Sequence, residues 1–421
     1  MKAAKALALA SIATSALAYL VASIAAENLA SASLISFSEY MKLRYALLPA
    51  LAILTMLAAW FAADVLKPSI PYQPLAPLLL CLYLLALRER LLRIEKCSDA
   101  YIYIEAGVAY ISGTSPLELN WEHPPLAKYI IGLASLISRS YWAYAAPGAA
   151  IALLLFLVVC KLGHRLTRNP RLAALLLAAD PLYLVYASTP MPDVYAVSLA
   201  CIAVLLAAGN KMRDALASGV AMGLALASKW TIAPVVVTIL YLQRHLKKAV
   251  VMLATMTLAY TATYLPATTS IHLIAAHQLK MIEFMSSQHL GISCLDGFLA
   301  ILGFYTVRIP PHEEPLHMLF KGHTLIQPPT SAPIALHLIS WNPGNLVLYL
   351  LLPLALLAHR NREVLAYLLP QAAFLLFTPP YYTWYRLALA PPLALALADL
   401  LEKYQQKLAM VYLIQLFLAL I

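Results

Sequence analysis

Charge is what this sequence of 421 residues has least of. Asp, Glu, Lys and Arg make up 11% of positions against 62% hydrophobic, whereas a soluble domain is about 25% charged. No soluble fold has room inside for that much apolar surface, so a water-soluble enzyme is excluded. The five cysteines, Cys81, Cys97, Cys160, Cys201 and Cys294, show no CxxC spacing, which excludes a zinc ribbon and a thioredoxin-like redox motif. HExxH is absent as well. No fixed-period repeat and no Gly/Ser-rich linker interrupts the chain, so a single membrane domain is the economical reading. Period-two alternation is missing too, which removes a transmembrane β-barrel.

What the sequence has instead is continuous Leu/Ala-rich runs, at a mean hydropathy of +0.78. A bilayer core of about 30 Å needs roughly 20 apolar residues per helix, and runs of that order recur between short charged clusters. They predict an all-α polytopic membrane protein with helices near 6–26, 45–66, 72–90, 142–161, 171–187, 193–209, 215–229, 231–243, 249–265, 342–358, 364–378, 386–400 and 408–421, about 13 crossings. Two longer polar segments remain, about 91–141 and 266–340. Lys2 and Lys5 before the first Ala/Leu run fit a signal peptide or a first membrane helix, and the helix is the reading adopted.

The formal charge of +10 is distributed as topology, not as a nucleic-acid footprint. Lys161/Arg165/Arg168/Arg171, Lys211/Arg213, Arg244/Lys247/Lys248, Arg360/Arg362 and Lys403/Lys407 all fall on one side of the predicted layout, the cytoplasmic side by the positive-inside rule. Both long segments and the turn from Ser188 to Asp193 then face outward. Arg88, Arg90, Arg93 and Lys96 fall on the outer side against the rule, where long cations can snorkel to the interface. Of the five cysteines, Cys97 and Cys294 alone fall outside the bilayer on that predicted side, which leaves a disulfide between them open.

The first polar segment holds the residues with chemistry in them. Asp99 follows a membrane helix, where a carboxylate does nothing to hold apolar helices together; it can accept a proton from an incoming hydroxyl or cap the helix that follows. Further on, Glu122-His123-Pro124-Pro125 precedes Lys128. The paired prolines stiffen the loop, and a fixed acid, imidazole and ammonium suit an anionic leaving group, although a helix start with proline in its first turn reads the same way. Seven histidines (His272, His277, His289, His312, His317, His323, His337) crowd the second polar segment, but their spacing is poor for a metal site, His312-Glu-Glu-Pro-Leu-His317 being broken by proline.

Taken together, Ser98-Asp99-Ala100-Tyr101-Ile102-Tyr103-Ile104-Glu105 and Asn120-Trp121-Glu122-His123-Pro124-Pro125-Leu126-Ala127-Lys128 resemble the first external loop of the protein O-mannosyltransferase family of the GT-C glycosyltransferase clan. There an Asp-Glu pair is followed by HPPLxK. Gly223 to Thr231, with Ser228-Lys229-Trp230-Thr231, is similar to the family's SKWT segment, and Thr189-Pro-Met-Pro-Asp193 to its short outer turn ending in Asp. Gln278 to Phe284 with His289 is similar to the external helix that follows the family's middle membrane helices, and Trp341-Asn342-Pro343 and Pro380-Tyr-Tyr-Thr-Trp-Tyr385-Arg386 resemble its last two external turns. The resemblance covers about residues 75–400. It divides the chain into extra N-terminal helices at 1–70, with no recognised counterpart, and a glycosyltransferase membrane domain at 71–421.

The resemblance implies inverting transfer of a sugar, mannose by default, from a polyprenyl (dolichyl) phosphate to a hydroxyl of an acceptor protein or glycan, on the extracytoplasmic face of the cell membrane and with no cofactor. Asp99 is the implied general base, and Glu122, His123, Lys128, Lys229 and Arg386 are the implied donor-binding residues. One position departs: where the family has Glu after its Asp, this chain has Ala100, and Glu122 is the acid that can share the site. A polytopic transporter and a non-catalytic partner subunit are the competing readings. The first predicts ionisable groups at the bilayer midplane, while here the acids cluster at outer helix ends.

Overall fold

The structure, a computed structural model, describes residues 2–31, 48–67, 99–178, 180, 183, 186–187, 189–287, 304–307, 318–320, 323–325, 335–338, 351–377 and 383–420. The predicted third span at 72–90, the basic cluster from Arg88 to Lys96, Cys81, the Cys97/Cys294 pair, His289, His312, His317 and Trp341-Asn342-Pro343 lie outside the described residues.

The described chain is a helical bundle. Its α-helices are α1 (Lys2–Ser31), α2 (Leu48–Leu66), α3 (Asp99–Ile111), α4 (Leu126–Leu133), α5 (Tyr141–Leu166), α6 (Pro170–Ala178), α7 (Pro192–Ala207), α8 (Met212–Leu226), α9 (Val235–Gln243), α10 (Leu246–Ala262), α11 (Ile271–Ser287), α12 (Leu352–Ala358), α13 (Arg362–Phe377), α14 (Ala390–Leu400) and α15 (Gln405–Leu420). The first polar segment, read from sequence as a loop, holds two of them, α3 and α4. The second opens with α11 and carries two short antiparallel ladders, β1 (Phe304–Val307) with β4 (Ala335–Leu338) and β2 (Met318–Phe320) with β3 (His323–Leu325), an addition to the all-α expectation. Among the described residues two helical stretches, Ala4–Ala22 and Tyr141–Leu166, are long and apolar enough to cross a membrane, with shorter apolar helices at Leu57–Leu66, Leu126–Leu136, Pro192–Ala207 and Ala390–Leu400. These apolar helices agree with a helical membrane protein; the count of about 13 crossings exceeds what they establish.

Local chemistry sets the helix ends. Ser140 caps α5, its hydroxyl accepting from the Ala143 N–H at 3.4 Å, and His164 and Arg165 occupy the last turn, where cations suit the C-terminal dipole. Pro192 opens α7 with Asp193 in its first turn, the arrangement a helix start favours. Leu155 and Leu162 of α5, Leu172 and Leu175 of α6, Tyr195 of α7, Tyr367 of α13 and Leu395 of α14 are fully buried and form one core.

The bundle has two chemically distinct ends. At one, Asn361 donates to the Leu166 carbonyl (2.7 Å), the Arg168 N–H to Asp399 (2.6 Å), Arg244 to Glu363 (3.2 Å), Lys248 to the Asn210 carbonyl (2.5 Å) and Lys407 to Asp64 (2.6 Å). The basic clusters grouped by the positive-inside pattern therefore meet at one end of the bundle. The opposite end carries Asp193 and Lys229.

Glycine makes two of the close helix contacts possible. A Cβ on Gly132 of α4 would lie 2.1 Å from the Gly107 carbonyl oxygen of α3, and one on Gly219 or Gly223 of α8 would lie 2.3 Å from the Met252 or Met256 carbonyl oxygen of α10. Gly219 and Gly223 form a GxxxG spacing, which lets membrane helices approach backbone to backbone. Gly148 of α5 is different, since a Cβ there would meet the Thr189 carbonyl oxygen at 3.5 Å, an ordinary contact. Gly132→Ala is expected to destabilise the protein by roughly 1–3 kcal/mol, the scale of overpacking, whereas Gly148→Ala is neutral or stabilising by up to about 1 kcal/mol through helix propensity. Thermal melting of the purified protein in detergent distinguishes the two, and equal shifts would contradict the close approach of α3 and α4.

Candidate active site

Asp99 lies in the first turn of α3, and Tyr103 follows it by four residues on the same helix face. Tyr103 is buried, and Lys229 reaches it from the far side of the site, donating from Nζ to the phenolic oxygen at 3.2 Å with the ammonium 5.3 Å from the ring centre. Lys229 sits in extended backbone (φ −159°, ψ 142°) between α8 and the short 3-10 turn Trp230–Ile232, so the predicted helix 215–229 ends at Leu226 and frees this side chain to turn inward. It forms an ion pair with Asp193 in the first turn of α7, at 3.4 Å, both side chains 2% exposed. Burial pushes the ammonium toward neutrality, but the Asp193 carboxylate, helped by Tyr385 and Asp99, holds its pKa above the usual lysine range.

The HPPLAK segment is joined to the SKWT segment by main chain: the Leu126 N–H donates to the Ala227 carbonyl at 2.9 Å. His123 stacks against Tyr103, ring centres 5.7 Å apart. Burial first, then the charges of Lys229 and Lys128, push its imidazole well below the usual histidine range. It is therefore neutral near pH 7, not the cation that the sequence suggested.

Lys128 also departs from expectation. It is fully buried, and burial first, then the charge of Lys229, pushes it well below the usual lysine range against the pull of the Glu122 carboxylate; as an ammonium it donates to the Asn120 carbonyl (2.7 Å), the Asn120 Oδ1 (3.0 Å) and the His123 carbonyl (2.9 Å). Three donors meet three acceptors, so the side chain clasps its own loop and has no proton left for a ligand. Tyr110 supports the clasp, its hydroxyl donating to the Leu119 carbonyl at 2.6 Å and its ring 5.2 Å from the ammonium. Asn120 takes the left-handed conformation, φ +46°, which Asn tolerates better than most residues. Its Nδ2 holds Glu122 Oε1 at 2.5 Å.

The electrostatics converge on Asp99. Burial raises its carboxyl above the usual carboxylate range, the Lys229 ammonium opposes that shift, and the Glu122 carboxylate adds to it. Glu122 thus contributes the second negative charge, while Ala100 is packed in the core at 3% exposure. Arg386 is buried in the 3-10 turn Thr383–Ala388, which packs against α7 and the Trp230–Ile232 turn. Among the described residues no cluster of three or more His, Cys, Asp or Glu is placed to hold a metal.

Reading the sequence missed Tyr103, Asn120 and Trp121. Tyr103 was detectable as the residue one helical turn after Asp99. Trp121 had no local signal: it is gripped by one face of α11, edge-on to Phe284 at 5.4 Å and under Lys280 at 3.9 Å.

Because Lys128 acts inside its own loop, Lys128→Met is expected to leave three buried acceptors unmatched and to cost about 3 kcal/mol or more. Lys128→Arg will not restore the loss, since a planar guanidinium does not fit three converging carbonyls. Melting together with limited proteolysis within residues 112–125 checks this, and a stable Lys128→Met protein with a protected loop would refute the clasp.

Comparison with curated proteins finds no match for the chain. The family model described as dolichyl-phosphate-mannose-protein mannosyltransferase matches residues 122–278, a stretch that includes Glu122, His123, Lys128, Asp193 and Lys229; Asp99 and Arg386 lie outside it. This match supports the resemblance carried by the motifs and the reading of the chain as a mannosyltransferase-like glycosyltransferase.

Proposed function

We propose that this membrane glycosyltransferase moves a mannose from a polyprenyl (dolichyl) phosphate to a hydroxyl, a protein Ser or Thr or a glycan, in a single inverting displacement on the extracytoplasmic face of a bundle of about 13 spans. Asp99 takes the proton from the acceptor hydroxyl as that oxygen attacks the anomeric carbon. The bond from that carbon to the phosphate oxygen breaks on the opposite face, and the lipid phosphate leaves with the electron pair. Lys229 and Arg386 offset the negative charge that develops there, where a preorganised cation in a low-dielectric site acts strongly. Neutral His123 donates a hydrogen bond, and Lys128 keeps Glu122 and His123 in place.

The observation that carries this reading is the meeting of three separate segments at one point. The backbone bond from Leu126 to Ala227 and the contact of Lys229 with Tyr103 bring the HPPLAK and SKWT segments onto the helix that begins with Asp99. The raised pKa of Asp99 is what a general base working near neutral pH needs. A non-catalytic partner subunit is the second reading, and the burial of Ala100 at the family's acidic position favours it.

Membranes carrying the chain, given labelled dolichyl-phosphate mannose and a Ser/Thr-rich acceptor peptide, separate the two. Asp99→Asn is expected to lower transfer by about 10²–10⁴-fold, the usual contribution of a general base. The base acts deprotonated, so wild-type transfer should rise with pH through a midpoint above the ordinary carboxylate range and lose that limb in the variant. Unchanged transfer in Asp99→Asn would sink the mechanism, and no transfer by the wild type would favour the partner subunit.

A further inference from the structure

The chemistry above uses Lys229 and leaves unexplained the carboxylate buried beside it. Asp193 is 1% exposed and sits 3.4 Å from the Lys229 ammonium; no other side chain donates to it among the described residues. Burying an isolated carboxylate or an isolated ammonium is costly in a low-dielectric interior, so neither side chain has a reason to be there without the other. The sequence around each is built to hold it. Asp193 starts α7 between Pro192 and a fully buried Val194, at the helix end where backbone N–H groups favour an anion. Lys229 leaves α8 in extended backbone and cannot retreat to solvent, because Ser228 and Thr231 beside it are buried too.

We propose that Asp193 is a positioning residue for the transfer: it holds the Lys229 ammonium, as a cation, against Tyr103 of α3 and on the Asp99 side of the site before any donor phosphate arrives. This rests on the reading of Lys229 as the cation at the leaving phosphate. Asp193 touches no reacting atom. It acts through Lys229, whose charge is shared between Asp193 and the phosphate once the donor is seated. Without Asp193, a lysine in this environment loses its proton at lower pH. The other groups that act on Lys229 are Asp99 and Tyr103 from α3, His123 and Lys128 from the loop and α4, and Tyr385 from the 3-10 turn that also bears Arg386. Of the carboxylates among them, only Asp193 lies within ion-pair distance.

The test compares Asp193→Asn, Asp193→Glu, Lys229→Gln and the double variant Asp193→Asn/Lys229→Gln, with labelled dolichyl-phosphate mannose as donor. Asp193→Asn is expected to lower kcat/KM at least roughly tenfold, the scale on which outer hydrogen-bond partners tune a site. Its alkaline limb should move to lower pH, because the unpartnered lysine deprotonates sooner, and Asp193→Glu should restore much of the wild-type profile. In the Lys229→Gln background the Asp193 change should have almost no further effect on kcat/KM, the signature of two residues acting as one unit. Melting of the purified proteins gives a readout independent of activity: Asp193→Asn, which leaves Lys229 buried without its carboxylate, should melt below the double variant, which carries neither charge of the pair. Additive losses in kcat/KM, an unmoved alkaline limb, or a double variant that melts at the sum of the single shifts would each overturn the proposal. Should Lys229→Gln keep full activity, the phosphate-cation reading fails; should Lys229→Gln lose activity while Asp193→Asn behaves as wild type, only the positioning role fails.

Discussion

Burying an ammonium group inside a bundle that has almost no charge is the constraint on which the site depends, and the chain solves it twice by opposite means. Lys128 is satisfied by neutral oxygens, three carbonyl-type acceptors from Asn120 and His123. Lys229 is satisfied by a carboxylate, Asp193, and a phenol, Tyr103. The difference matters because three neutral acceptors use up every N–H of the first lysine, whereas the second lies at 3.4 Å from one carboxylate and over the edge of an aromatic face. The first ammonium fixes backbone; the second places charge. Both lysines are invisible to solvent, so their roles are set by which atoms the fold turns toward them and not by how basic the surrounding sequence is.

Those atoms can be supplied only because the helices bearing them approach closely. Gly107 and Gly132 let α3 and α4 touch through their main chains, which brings Tyr110 over Lys128 and Tyr103 beside His123. Gly219 and Gly223 do the same for α8 against α10, and α8 ends at the segment whose Ala227 carbonyl receives the Leu126 N–H. Dispersion and backbone contact must hold such helices together in a lipid environment, where the hydrophobic effect between apolar surfaces is absent. The polar end of the bundle is thus positioned by its least polar residues.

How much of this was legible in the sequence varied with the range of the interaction. Long apolar runs such as that in α5 were read nearly to their ends, because a span declares itself within one window. Asp99 was singled out for the same local reason, as a lone acid beside a membrane helix. The polar segment after it was read as a loop because Tyr, Glu and His break the apolar window, although Asp99, Tyr103 and Tyr110 repeat at helical spacing along α3. The partners of Lys229 were out of reach: Tyr103 lies 126 positions away in sequence, and nothing in the residues near 229 says that α8 stops at Leu226 and turns the lysine inward. The direction of Lys128 was not legible either, since its ammonium points back into the loop that precedes it.

The departure at position 100 can be understood from the same geometry. The family pattern puts two acids in succession, which places the second charge one helical step from the base. Here Ala100 faces the core, where a carboxylate would be stranded without a partner. The second charge instead comes from Glu122, whose field acts on Asp99 and whose carboxylate is held by Asn120, the residue that also receives Lys128. An acid borrowed from another segment is only as well placed as that segment. The neighbouring Trp121 is in turn gripped by α11 through Phe284 and Lys280, so the charge beside Asp99 is tied to the second polar segment through a loop, where an adjacent residue would have tied it to α3 alone.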